Sequence, residues 1–413
     1  MADQYVDRGR RRGRTPVFPG VMLAGLCLSA ALPAGDWPRW RGSNFDGIST
    51  ESGWRTQWPE AGPPRVWQAS VGIGYSSVSV SGGKLYTMGN TDDVDAVYCF
   101  DAENGKALWK HTYACEAKDP NGYHGTRATP TVADGRVYSL SRHGHLFCLD
   151  GATGAVLWAK DFKKDYGAEV PRWGYSGSPL VEGNLLVTEV GGDGRSVVAF
   201  DKVTGVERWR AGNDTAAYSS IIPYLRDGER ELAVLTALGI VGRSPADGAE
   251  LWRHEWKTRY DVNAATPIVD QGRVFLSSGY GKGCGLIDFK SGVTRAVWEN
   301  TNMRNHVGTC VLWEGHLYGF DERELKCLDL KTGEEKWAER KYGKGSILRA
   351  GNAWILYSDN GYVATAEVTP AGCRELSGFQ VLKGKDTWAI PVLANGRLYC
   401  RSLEELVCLD VRQ

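Results

Sequence analysis

The side chains that could do chemistry in this 413-residue chain cluster in short segments placed just ahead of β-rich runs. Tyr123-His124-Gly125-Thr126-Arg127, Arg172-Trp173-Gly174-Tyr175-Ser176 and Ala217-Tyr218-Ser219-Ser220 are three of them. Tyr260-Asp261-Val262-Asn263, Arg304-Asn305-His306 and Asp386-Thr387-Trp388 follow, and Gly74-Tyr75-Ser76-Ser77 comes before them all. Aromatic rings stack on flat or sugar-like ligands, while guanidinium and amide groups fix them by hydrogen bonds, so the chemistry expected is binding. His124, Arg127 and Trp173 lead the ligand-binding candidates, with Tyr175, Tyr218, Asn263 and Trp388 completing the set. Asp261 is the candidate catalytic group, and Asn263, His143 and His145 are the candidate metal contacts. Two histidines flanking Gly144 make a weak metal signal, because no third ligand stands at a known spacing. No Gly-x-Ser-x-Gly elbow, phosphate loop or Cys-x-x-Cys pair occurs, which leaves serine-hydrolase, P-loop and dithiol chemistry without support. The alternative to a binding role is that the Tyr-Ser-Ser segments fill a narrow channel and satisfy loop backbone.

What positions these segments is a repeat. An aspartate, a glycine four residues on and a tryptophan four further recur as Asp101/Gly105/Trp109, Asp150/Gly154/Trp158, Asp201/Gly205/Trp209 and Asp329/Gly333/Trp337. Worn copies stand at Ser244/Gly248/Trp252, Asp288/Gly292/Trp298 and Val368/Gly372/Leu376, and an eighth starts at Cys408-Leu409-Asp410. Units about forty to fifty residues apart, each with four short strand-like runs, mark β-propeller blades. Residues 128–132, 135–140, 145–149 and 155–158 are one such set, divided by Asp-Gly and His-Gly turns. Each unit is thus expected to be a four-stranded antiparallel meander whose turn aspartate is geometry and whose outer-strand tryptophan is scaffold. The eighth unit lacks an outer strand, and residues 64–70 have the pattern of one without a blade before them. The expected fold is therefore all-β, an eight-bladed β-propeller closed by an N-terminal outer strand. In such a ring the first strands line the channel, so the candidate segments gather on one rim, with the loop Arg142-His143-Gly144-His145 on the same face. Blade seven, which has Val368 and Leu376 in place of aspartate and tryptophan, is expected to be the weakest.

Three spans follow along the chain. Residues 1–35 carry five arginines ahead of an apolar run broken by prolines, the pattern of a signal peptide or, uncleaved, of a membrane anchor. Residues 36–63 form an aromatic arm expected across the outside or one face of the ring, where Trp40 and Arg41 could also capture a ligand. Residues 64–413 form the propeller. The chain is expected to be exported, to the periplasm or the cell exterior. Zero formal net charge and the absence of any basic block beyond the leader give nucleic-acid binding no support. Four of the ten cysteines, Cys99, Cys148, Cys327 and Cys408, share one repeat position, as small buried side chains on different blades would.

The recurring Leu-x-Cys-Leu-Asp-x-x-Thr-Gly-x-x-x-Trp pattern resembles the tryptophan-docking repeat of the pyrroloquinoline quinone (PQQ) propellers. One branch, similar to the outer-membrane assembly factor BamB, is cofactor-free; the other comprises quinoprotein alcohol dehydrogenases. The Trp-Pro-Arg-Trp-Arg-Gly arm is also similar to a group of exported PQQ-like propeller proteins. The dehydrogenase resemblance implies PQQ and a calcium ion held by glutamate and asparagine, a catalytic aspartate, a tryptophan floor and a disulfide between adjacent cysteines. Trp173, Asn263 and Asp261 offer floor, ligand and base by residue type alone, and adjacent cysteines are absent. The expectation is a non-catalytic binding or scaffold module, with a protein partner or small ligand on the channel rim and no cofactor. The alternative is a PQQ- and calcium-dependent alcohol dehydrogenase.

Overall fold

A computed structural model describes Met1, Gln4 and residues 35–413. Nearly all of the expected leader, residues 1–35, lies outside the described residues. From Ser79 onward the chain builds successive sheets, eight in all, whose strands pair antiparallel in sequence order. The second blade is representative, with strands Thr131–Ala133, Arg136–Leu140, His145–Asp150 and Val156–Asp161. Its first hairpin turns through Asp134 and Gly135 at φ 49° and 72°, the left-handed pair that a two-residue hairpin requires. Its last turn is held by Asp150, whose Oδ1 accepts from the backbone N–H of Ala152 and Thr153 and from the Thr153 hydroxyl. The repeat aspartate is therefore committed to the backbone.

The repeat glycine and tryptophan are partners across neighbouring blades. The Trp109 indole lies against Gly154 so closely that a Cβ there would sit 2.6 Å from the ring. Gly154 also holds φ +75°, so both sterics and backbone demand glycine. Trp109 Nε1 then donates to the Gly151 carbonyl at 3.2 Å, the bond that docks one blade on the next. Trp158 docks likewise on Gly205, Trp209 on Gly248 and Trp298 on Gly333. Trp252 departs from the pattern: it stacks on Phe289 at 4.2 Å and donates to the Tyr224 hydroxyl.

The seam closes as the missing strand required. Arg65–Ser70 pairs antiparallel with Glu405–Asp410, placing Trp67 opposite Cys408 as the outer strand of the eighth blade. Trp67 then docks on Gly105 of the first blade and donates to the Ala102 carbonyl at 3.1 Å. The last interface of the ring thus uses the same contact as those of Trp109, Trp158, Trp209 and Trp298. All nine cysteines among the described residues are free, and the four at the shared repeat position are fully buried.

Blade seven carries supports that its own repeat does not show. Ile48–Ser49 of the arm adds a fifth strand parallel to Gly345–Ala350, and the outer pair Tyr362–Thr369 and Gly372–Gln380 has eight and nine residues. Trp58 packs edge-on against Phe379, so the arm supplies the indole that Leu376 does not. The arm crosses one face, as expected, at the channel end opposite the candidate segments. Asp36 caps the inner hairpin of blade one by accepting from Ser81 Oγ and Gly82 N–H, and Trp37 bridges to Val80. Val132 N–H then donates to the Pro38 carbonyl, Trp40 Nε1 to Thr266 Oγ1, and Ser49 Oγ to the Leu393 carbonyl. Arg41 is buried and donates to the carbonyls of Phe45, Asp46 and Cys310, so it serves the plug and not a ligand.

Candidate functional site

Above the plug, the segments that lead into the inner strands border an open pocket of about 880 Å³, the solvent at its mouth included. Trp40 forms its far end. Seven blades each contribute a ring: Tyr75, Tyr123, Trp173, Tyr218, Tyr280, His306 and Trp388. Tyr75 stacks on Trp388 with centroids 5.0 Å apart, and Tyr123 tilts onto the same indole at 5.2 Å. Across the pocket Trp173 meets Tyr218 edge-on at 5.8 Å, with the Arg172 guanidinium 5.0 Å from the Trp173 ring centre. Tyr260 and Tyr280 stand about two-fifths exposed at the mouth, held at φ 65° and 55°. That conformation is unusual for a tyrosine and is the kind of strain that collects at binding sites.

A belt of hydroxyls joins the blades beneath these rings. Ser77 N–H donates to Thr129 Oγ1, Thr129 N–H to Ser178 Oγ, and Ser178 N–H to Ser220 Oγ, each at 3.0 Å. These serines and threonines therefore do satisfy loop backbone, while three of them also line the pocket.

Arg127 is the charged group in the wall. Its side chain is 10% exposed and donates to Asp119 Oδ2 at 2.9 Å, and Arg142 donates to the same oxygen at 2.8 Å. Two guanidinium groups share one buried carboxylate, so one positive charge is left without a local partner. Burial, together with the nearby Arg142, pushes the Arg127 pKa down to about 10, which still leaves it charged near neutrality. Its Nε has no protein partner among the described residues. His306 is neutral instead: burial and Lys344, whose Nζ lies 3.0 Å from Nδ1, push its pKa down to about 4. With Nδ1 accepting from the ammonium, the ring proton resides on Nε2.

Of the candidates read from the sequence, Arg127, Trp173, Tyr218 and Trp388 meet in this pocket. His124 stands behind it, where Nδ1 accepts the Asp119 N–H at 2.9 Å and steadies the loop that clamps Arg127. Tyr175 is a core residue whose hydroxyl donates to the Val190 carbonyl at 2.8 Å. Asn263 is fully buried, donating to the Thr236 and Trp256 carbonyls and accepting from Ser278 Oγ. Its amide is consumed in shaping the loop. Asp261 lies exposed in the turn Arg259–Asp261 at φ 60°. His143 and His145 tie down their own hairpin through the Glu116 carbonyl and Ser141 Oγ. Tyr123, Tyr280, His306 and Trp40 were not singled out as binding candidates of the same rank. Tyr280 could have been found from Gly279-Tyr280-Gly281, an aromatic between glycines in a loop on the rim face. Trp40 could not, since it reaches the pocket only by threading the channel.

The residues present do not fit a quinone-bridging calcium ion. Asn263 is fully buried outside the pocket lining with Oδ1 bonded to Ser278 Oγ, the pocket wall contains no aspartate or glutamate, and among the described residues no three acidic, histidine or cysteine side chains converge on one point. The aromatic wall could pack against a planar ring, but no step through a bound quinone follows from these side chains.

The docked tryptophans and the eight closed blades define a PQQ-like, quinoprotein-type β-propeller. Within that class the chain belongs to the family described as "Outer membrane protein assembly factor BamB", whose profile matches residues 95–339. The BamB of Xanthomonas campestris pv. campestris is 36% identical over 92 residues, 22% of each chain. Across the curated relatives the matches span 18 to 37% of the relatives' own lengths. Among solved structures, BamB from Moraxella catarrhalis superposes with a TM-score of 0.59 at 15% identity, covering 84% of this chain and 99% of that one. A europium-containing methanol dehydrogenase gives a TM-score of 0.67 at 13% identity, covering 90% of both chains. These structural likenesses concern the fold.

Proposed function

We propose that this chain is an exported, non-catalytic β-propeller that binds a small ligand or a protein partner in the channel pocket and at its rim. It works outside the cytoplasm, in the periplasm or the extracellular space, and meets a membrane only through an uncleaved leader. The observation that carries this reading is the pocket wall, which has rings from seven blades around one buried guanidinium and no acidic side chain. Such a wall holds and orients a ligand, whereas general acid-base catalysis requires a group that exchanges protons near the working pH. Membership of an assembly-factor family supports a protein partner at the rim. The second reading, a dehydrogenase that uses PQQ and calcium, draws support from the aromatic pocket wall and from a 29% identity over 142 residues with the quinohemoprotein alcohol dehydrogenase ADH-IIG of Pseudomonas putida.

Thermal melts of the purified protein in calcium, with and without excess PQQ, separate the two. A ligand at a hundred times its dissociation constant adds about 2.7 kcal/mol, which raises the melt of a domain this large by about 3 °C. No PQQ-dependent shift is expected. A clear shift, followed by dye-linked alcohol oxidation, would overturn the non-catalytic reading.

A further inference from the structure

We propose that Glu189 and Arg243 form a proton-operated switch in the seam between blades three and four, and that it repositions the Tyr218 segment of the pocket wall. The switch belongs to the ring itself and calls for no ligand.

The seam leaves a buried acceptor and buried donors unmatched. Glu189 ends the second strand of blade three, Leu185–Glu189, and is 8% exposed. Its Oε1 has no partner among the described residues. Arg243 ends the third strand of blade four, Gly239–Arg243, and is 2% exposed. Its Nη1 donates to the Gly248 carbonyl at 2.9 Å, but Nε and Nη2 have no hydrogen-bond partner among the described residues. Nη2 stands 3.9 Å from Glu250 Oε2, beyond hydrogen-bond reach. The guanidinium reaches across into blade three, where a Cβ on Gly212 would lie 2.2 Å from Nη2 and 3.0 Å from Ser196 Cβ. Ser196 Oγ is likewise buried without a partner among the described residues. Bare buried donors and a bare buried acceptor are each unfavourable, so a seam that holds both has a second arrangement in which they meet.

The charges around Glu189 decide when that arrangement is favoured. Asp214 and Arg243 face its carboxyl, and Tyr175 lies beside it with Arg195 close to the Tyr175 hydroxyl. Asp214 Oδ2 already accepts from Thr236 Oγ1 and Arg253 Nη1, both at 2.7 Å. Arg253 is committed to Asp214 and Glu250, which leaves Arg243 to answer a charge on Glu189. Burial raises the Glu189 pKa above the usual 4.5, against the pull of the Ala217 N–H and Arg243. Protonated, Glu189 needs no counter-charge and Arg243 keeps to Gly248. Ionised, it draws the free N–H groups of Arg243, and that attraction lowers the pH at which the proton leaves.

The same carboxyl is tied to the channel pocket. The Ala217 N–H is directed at it, and the next residue, Tyr218, supplies a ring of the pocket wall. Glu189 also lines a small cavity with Tyr175, Ser178, Ala217 and Ser219, and Ser178 faces the channel pocket as well. Ionisation strengthens the hold on the Ala217 N–H, because a hydrogen bond to a charged acceptor is shorter and stronger, and Tyr218 follows one peptide bond away.

Fluorine NMR of the full chain grown on 3-fluorotyrosine reads this out, with the Tyr218 signal assigned by its loss in Tyr218→Phe. Burial pushes the Tyr218 pKa up to about 12, so its own ionisation stays outside the titration. The Tyr218 signal is expected to shift along one titration curve with a midpoint well above 4.5, and to stay still in Glu189→Gln. Arg243→Met should raise the midpoint by about one pH unit or more, whereas Arg243→Lys, which keeps the charge, should hold it within about half a unit. Glu189→Gln preserves the shape of the side chain and decides the matter where Arg243→Met does not fold. An unmoving Tyr218 signal in wild type, or the same curve in Glu189→Gln, would overturn the switch. An unchanged midpoint in Arg243→Met would remove Arg243 from it. No ligand enters the experiment, so each of these outcomes leaves the ligand-site reading where it stood.

Discussion

Replacing Trp67 with alanine should loosen the closure of the ring more than any surface change. Trp67 is 8% exposed, lies against Phe100 and Tyr399 at 6.0 Å, and bonds the Ala102 carbonyl. An indole of this burial removes about 150–250 Å² from water, a gross gain of roughly 4–6 kcal/mol at about 25 cal/mol per Å². Buried tryptophan-to-alanine changes cost about 3–5 kcal/mol in practice. With an unfolding entropy of about 2.1 cal/mol/K per residue, the described chain has about 0.8 kcal/mol/K, so the melt should fall by about 4–6 °C. Gly105→Ala supplies the internal control, since its Cβ would lie 2.6 Å from the Trp67 ring at φ +74°. Once the indole is gone that collision disappears and only backbone strain remains. The double variant should therefore lose less than the two single losses added, by about 1 kcal/mol or more. Calorimetric melts of wild type, both single variants and the double variant read this out. A Trp67→Ala melt within about 1 °C of wild type, or strict additivity with Gly105→Ala, would refute the latch.

Two further outcomes are expected. Glu189 is buried, and its Oε1 has no partner among the described residues; burial raises its carboxyl well above the usual 4.5. The folded state therefore keeps a proton that the unfolded chain gives up. Its contribution to stability is full below the unfolded pKa and declines as pH rises toward the folded one. Wild type should lose stability relative to Glu189→Gln as pH rises above the carboxyl's unfolded value, and melts of the two that run parallel as pH is raised from there would contradict the assignment. Blade seven should be among the slowest regions in hydrogen exchange, because the arm strand Ile48–Ser49 and Trp58 cover it. Amides of Ile355 and Val363 exchanging faster than those of blade three would show that the arm does not protect it.

Much of this architecture was legible because it is local and periodic. The Asp-Gly-Trp spacing is a turn followed by an outer strand, and a turn's preference for aspartate and glycine does not depend on distant residues. Closure could be read by counting, since an eighth unit without its outer strand and a stray strand at residues 64–70 supply each other's lack. The candidate site was legible only by face. Knowing that the leading segments share one rim placed Arg127, Trp173, Tyr218 and Trp388 together, but it could not say which way each side chain turns. Tyr175 and Asn263 stand in the same segments and point into the core, where a hydroxyl and an amide were needed to satisfy buried carbonyls. Blade seven looked weak because its own repeat had decayed, and its compensation comes from residues about three hundred positions away.

By itself the sequence determined the number of blades, their strand order, the residues that seal the ring and the rim on which a site would lie. These follow from turn chemistry, strand periodicity and an unpaired edge at each end, all of which act over a few residues. Only the tertiary structure decided that the arm plugs the channel and sets Trp40 at the end of the pocket. It also decided that Asp119 divides one charge between Arg127 and Arg142, and that the serine oxygens are spent on neighbouring blades. Those outcomes depend on which donors find acceptors across the ring, a balance of burial and hydrogen bonding among groups that are distant in sequence.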